Sequence, residues 1–164
     1  YAQQLRKGSQ LVCKQGVFPV GKGASENSMA VVGSALIVEN NFAYQGPKTI
    51  PQAEPGLARI NITAEANACE IAWENKTLSS PSAVPKVSLA SGLIYVYTRD
   101  ESNPDDLHAW YFTAVDVHTG EVVFKHLAGV GWLFNNHYGS ITISPEGAAY
   151  VGIMGGLVKL QDSR

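Results

Sequence analysis

The sequence predicts an all-β fold, a segment of a β-propeller with about three four-stranded blades, and three observations carry that reading. A small-residue turn opens a short apolar strand three times, at Gly33-Ser34-Ala35-Leu36-Ile37-Val38, Gly92-Leu93-Ile94-Tyr95-Val96-Tyr97 and Gly147-Ala148-Ala149-Tyr150-Val151-Gly152. Each is followed by a second strand, at 56–60, 112–116 and 156–160, so one sheet motif recurs at intervals of about 55 residues. Sixteen Gly and eight Pro fall between these short runs, where a turn-rich all-β chain needs them. A free-standing β-sandwich is the alternative architecture.

Taken in order from the propeller axis outward, the first blade reads as strands at 28–32, 35–39, 57–62 and 69–73. The second reads as 84–89, 93–98, 111–117 and 121–126, and the third as 140–144, 148–153 and 157–161. Alternating apolar residues and β-branched content support the strands, and Thr119-Gly120 and Glu146-Gly147 supply tight turns. No amphipathic helix is evident. The chain is read as one domain over 1–164, with blade segments at about 10–74, 82–127 and 139–162.

The blade count matters because propellers close with about four to eight blades. Three cannot form a ring, and an open stack leaves strand edges and blade faces uncovered. The residues around 10–14 are expected to be the outer strand of a preceding blade, and the last blade lacks a fourth strand. Missing blades or a partner chain are therefore expected. Position 1 is Tyr, which fits a mature or truncated product.

The net charge of −2 and 16% charged residues give no electrostatic footprint for nucleic acid. No stretch of about 18 apolar residues marks a membrane span. Cys13 and Cys69 are expected to pair, and sequons at Asn61 and Asn75 are expected near strand ends where a glycan reaches solvent. Together they point to a secreted or extracellular/periplasmic chain.

The segment 112–124, with its Ala114-Val115-Asp116-Val117-His118-Thr119-Gly120 core, resembles the repeat of quinoprotein-like (PQQ-repeat-like) propellers. Residues 144–152 and 155–158 look like the neighbouring part of that repeat. Residues 69–73, 85–97 and 134–157 look like the C-terminal part of secreted bacterial propellers of this kind. The repeat's strand ends in a docking Trp; this blade carries Phe124 there, and Trp73 takes the matching place in the blade before. Quinone-dependent members often carry adjacent cysteines, which are absent here, so the resemblance does not bring the PQQ cofactor with it.

Propeller topology puts the long loops 40–55, 74–83, 99–110 and 128–139 on one face, where binding residues usually lie. Asn40, Asn41, Asn135, Asn136, His137 and Tyr138 are the candidate ligand residues, joined by His108 and Trp110 as a possible stacking pair. Glu39, Asn40 and Asn135 offer hard oxygens for Ca²⁺. Against this, Asn is favoured in such loops as a turn residue, and Trp110 as packing between blades, and these readings are preferred. Ser79, Ser80 and Ser82 have no nucleophile-elbow context, and Gly21-Lys22-Gly23 is no phosphate loop.

The sequence therefore points to a secreted binding or scaffold module with a carbohydrate, peptide or partner chain on the long-loop face. The alternative is an enzyme, a quinone- or Ca²⁺-dependent oxidoreductase or a hydrolase or lyase, with its site in the propeller channel.

Overall fold

The computed structural model describes residues 13–46, 53–63, 68–99 and 109–162. They form three antiparallel sheets, each a simple up-and-down meander. Blade 1 contains β1 (Ala30–Val32), β2 (Ala35–Glu39), β3 (Leu57–Thr63) and β4 (Ala68–Asn75). Blade 2 contains β5 (Lys86–Ser88), β6 (Leu93–Arg99), β7 (Ala109–Asp116) and β8 (Val122–Val130). Blade 3 has β9 (Ile141–Ile143), β10 (Ala149–Ile153) and β11 (Gly156–Leu160). One 3₁₀ turn, Trp132–Phe134, lies between β8 and β9.

Alternating side chains put one stripe of each strand between neighbouring sheets. Ile37 and Leu57 of blade 1 meet Ile94, Val96 and Val115 of blade 2 in one buried layer. Tyr97, Trp110 and Phe112 of blade 2 meet Ile141, Ala149 and Val151 of blade 3 in the next. The first layer is also pinned by hydrogen bonds. Arg59 Nη1 and Trp73 Nε1 both donate to the carbonyl of Val117, at 2.8 and 3.1 Å, and Asn75 Nδ2 donates to that of Gly120 at 2.9 Å. Trp73 is thus a docking tryptophan, set against the tight turn of the following blade.

The three blades repeat a backbone clamp. The N–H groups of Asn41, Arg99 and Met154 donate to the carbonyls of Ala24, Ser79 and Asn135, each at 2.9 Å. In every case the acceptor lies in the segment that leads into the innermost strand. Each donor stands seven residues beyond Ser34, Gly92 and Gly147. The sequence match of Gly33 with Gly92 and Gly147 is therefore off by one residue. The reason is turn length: Val32 pairs with Ala35 across only Gly33-Ser34, whereas Ser88 pairs with Leu93 and Ile143 with Ala149 across longer turns.

One further expectation changes. Cys13 and Lys14 are not in a strand; residues 10–12 lie outside the described residues. Cys13 is instead bonded to Cys69 on β4, with Cα atoms 5.8 Å apart, and the segment from 13 to 28 crosses the outer face of blade 1.

Candidate functional site

The long-loop face is a network of buried amides that ties the three blades together. Asn40 leaves β2 and is almost fully buried. Its Oδ1 accepts from the N–H groups of Ala24 and Phe42 at 3.0 and 3.1 Å, and its Nδ2 donates to the carbonyl of Lys22 at 2.9 Å. Asn41 Oδ1 accepts from the N–H of Glu26 at 3.2 Å. These two side chains cap the incoming segment in the manner that makes Asn a loop residue.

The second half of the network crosses from the 131–140 loop to blades 1 and 2. Asn135 Oδ1 accepts from the N–H of His137 at 2.7 Å and faces Ser82 Oγ at 3.4 Å, while its Nδ2 donates to the Tyr44 hydroxyl at 3.0 Å. Asn136 Oδ1 accepts from Ser82 Oγ at 2.7 Å, and its Nδ2 donates to the carbonyls of Ser82 and Gly139 at 3.1 and 2.8 Å. The consequence appears in the next two residues. His137 and Tyr138 both hold positive φ, 38° and 67°, a conformation that costs a non-glycine residue on the order of 1–3 kcal/mol.

That strained pair is exposed, and it lies beside Tyr44. The rings of Tyr44 and Tyr138 meet edge to face with centroids 5.6 Å apart, and His137 lies 5.3 Å from Tyr138. Burial raises the pKa of Tyr44, opposed by its hydrogen bonds to Asn135 and Ser82. It also raises that of Tyr138, helped by Tyr44, Glu26 and Glu39. Both phenols stay neutral donors. Trp132 and Leu133, 40% and 46% exposed, extend the same loop with apolar surface.

The Ca²⁺ set does not survive this geometry. The two lone pairs of Asn40 Oδ1 are taken by N–H donors, and Asn135 Oδ1 is surrounded by donors. Glu39 is 2% exposed; Asn27 Nδ2 donates to its Oε1, and Ser80 Oγ spends its proton on the Tyr97 carbonyl at 3.3 Å, leaving Oε2 without a donor. Burial pushes this carboxyl up to about 8, opposed chiefly by the hydrogen bond from Asn27. A neutral acid and occupied amide oxygens are poor partners for a cation that seeks six to eight oxygens. Among the described residues no three His, Cys, Asp or Glu converge. The residues present do not fit a quinone site with adjacent cysteines either, since the two cysteines are bonded across 56 positions.

Trp110 also leaves the ligand set. It is 2% exposed, stacked on Tyr97 at 5.6 Å and with Arg99 over its ring at 5.3 Å, so its ring is packed away from solvent. Its packing role wins because residues 109–116 form a central strand of blade 2. His108 lies outside the described residues. Of the sequon asparagines, Asn61 lies two residues before the end of β3, paired with both Ala35 and Glu70, and Asn75 is the last residue of β4, where its Nδ2 donates to the carbonyl of Gly120. Tyr44, Ser82 and Trp132 were not legible as site residues. The available signal was position, since Ser82 enters an inner strand as Asn135 and Asn136 do.

No protein-family model matches the sequence, and no curated protein matches it. Among solved structures, BamB from Moraxella catarrhalis is similar, with a TM-score of 0.53 and 15% identity over 84% of this chain. The fold is that of a PQQ-like β-propeller. At that identity the likeness concerns the fold alone. The chain spans 37% of the length of that solved chain, so its three blades are part of a propeller. The inner strands β1, β5 and β9 line a groove of about 360 Å³ that includes Lys86, separate from the amide network.

Proposed function

We propose that this chain is part of an extracytoplasmic propeller that works as a binding or scaffold module, taking a carbohydrate or peptide on its long-loop face through Tyr44, His137 and Tyr138. The observation that carries the reading is the pair of left-handed residues at His137 and Tyr138. Backbone strain of this kind persists only where surrounding contacts overdetermine it, and it gathers at ligand-contacting positions. Here the buried Asn135 and Asn136 supply those contacts and leave the two side chains outside. Rigid aromatic rings with a hydroxyl handle lose little entropy on binding and accept both ring-face and hydrogen-bonded contacts. The Cys13–Cys69 disulfide supports an oxidising compartment.

The test is an NMR titration of the isotope-labelled chain with chitotetraose, maltotetraose and a proline-rich decapeptide. One of these probes is expected to shift the backbone signals of 44, 137 and 138, and Tyr138→Ala should abolish the shift without changing the melting temperature. Asn135→Ala should weaken the same interaction by releasing His137. Shifts confined to the inner-strand groove around Lys86, or none at 44, 137 and 138, would contradict the assignment.

A further inference from the structure

The two interblade layers are built from equivalent positions, and they are filled differently. Counted back from the clamp donors Asn41 and Arg99, Ile37 corresponds to Tyr95. Arg59 pairs with Ile37 and Trp73, just as Ala114 pairs with Tyr95 and Phe124. Counted back from Arg99 and Met154, Ile94 corresponds to Ala149, and their partners are Val115 and Leu160. In the first layer Trp73 packs against the cluster that holds Ile94, and Trp73 and Arg59 both donate to the Val117 carbonyl.

The second layer has lost bulk and donors at these same positions. Phe124 replaces an indole, Ala149 replaces an isoleucine, and Ala114 replaces a guanidinium. The space left is a cavity of about 260 Å³ lined by Tyr95, Phe124, Ala149 and Leu160, with Ser91 and Asp162 among its polar residues. Asp162 stands two places past Leu160, as Val117 stands two past Val115. Neither Phe124 nor Ala114 carries a side-chain hydrogen to donate to the Asp162 carbonyl. Apolar cavities of about 150 Å³ take up benzene, so this one has room for a bicyclic ring.

We infer that the cavity between blades 2 and 3 binds a free small molecule of the indole class, a flat bicyclic ring with one N–H donor. The ring supplies the apolar bulk that Trp73 and Ile94 provide in the first layer. Its N–H donates to the Asp162 carbonyl as Trp73 Nε1 donates to Val117. Tyr95 and Phe124, with ring centroids 6.3 Å apart, give the site an aromatic wall. The volume is commensurate with the ring alone, which favours a free molecule over a tryptophan carried on a peptide. The β5–β6 turn that lines the site lies at the opposite end of the sheets from the long loops. This site and the Tyr44–Tyr138 surface can therefore fail separately.

Isothermal titration calorimetry of the full protein that carries this chain, with indole as the probe, makes the test. Indole should bind with a Kd on the order of 0.1–1 mM, a range suited to so small a ligand. Benzofuran has the same shape with an oxygen in place of the N–H. It should bind about 3–10-fold more weakly, the loss of one hydrogen bond. Phe124→Trp and Ala149→Ile each restore the filling of the first layer, and each should weaken indole by about tenfold or more. Thermal unfolding of each variant confirms that it is folded. Absence of binding at millimolar indole, or undiminished binding in both folded variants, would overturn the inference. Benzofuran matching indole would overturn the ligand class. Tighter binding of N-acetyltryptophanamide than of indole would overturn the free molecule by making a peptide tryptophan the occupant.

Discussion

The indole of Trp73 lies directly against the backbone of Gly120 across the first interblade layer: a β-carbon at Gly120 would sit 2.6 Å from Trp73 Cε3. Gly120 also holds a φ of +76°, so the turn needs glycine for conformation and for space at once. The indole N–H then reaches Val117 and closes the contact.

Gly120→Ala should therefore lower stability by about 2–4 kcal/mol, combining left-handed strain with overpacking against a ring that is pinned by its hydrogen bond. Denaturant unfolding of the purified variant checks it. A change under about 0.5 kcal/mol, the range of an ordinary surface substitution, would show that the Trp73 ring moves freely.

The second layer lacks this dock. Phe124 stands where the repeat has Trp, and a cavity of about 260 Å³ remains between blades, lined by Phe124, Tyr95, Gly147, Ala149 and Leu160 among others. Phe124→Trp should fill part of it and raise stability by about 1 kcal/mol, the scale of a cavity-filling change. Thermal unfolding beside the wild type would reveal the gain, and a lower melting temperature would mean the space is the wrong shape for an indole.

Glu39 gives stability a pH dependence of definite sign. Its folded pKa stands near 8, above the ordinary 4.5, because burial disfavours the charged form. Below pH 4.5 both folded and unfolded chains hold the proton and nothing is lost. Between 4.5 and 8 the unfolded chain releases it while the fold cannot, so stability falls, by an amount on the order of a few kcal/mol, and levels off above 8. Glu39→Gln keeps an acceptor for Asn27 and removes the titration. Its stability relative to wild type should rise across that window; parallel curves from pH 4 to 9 would show that Glu39 ionises without cost.

Reduction of Cys13–Cys69 should lower the melting temperature, since a link closing a loop of this size contributes typically about 2–4 kcal/mol. Differential scanning calorimetry with and without a phosphine reductant measures it. An unchanged transition would mean the crossing segment adds nothing to the stability of blade 1.

Most of the fold was legible in the sequence, because short alternating strands separated by Gly and Asn turns carry their own period. Residues 35–39 were read to the residue, and 57–62 and 93–98 each fell one residue short of the strand end. The frame of the repeat was not legible: a two-residue turn at Gly33-Ser34 moves every side chain of β2 to the opposite face relative to a match on glycine, and only the cross-strand register reveals it. The site was half legible. The asparagines stood out by residue type, but their oxygens serve backbone N–H groups. Tyr44, which meets Asn135 across 91 positions, carries no local signal at all.

The most direct test of the account is native mass spectrometry of the protein purified from its source, repeated after denaturation. Three blades of a larger propeller predict a native mass well above the 17.6 kDa of this chain, whether the further blades come on the same polypeptide or on another. A single 17.6 kDa species that unfolds cooperatively would contradict it, and would mean that blade 1 is stable with its apolar face bare.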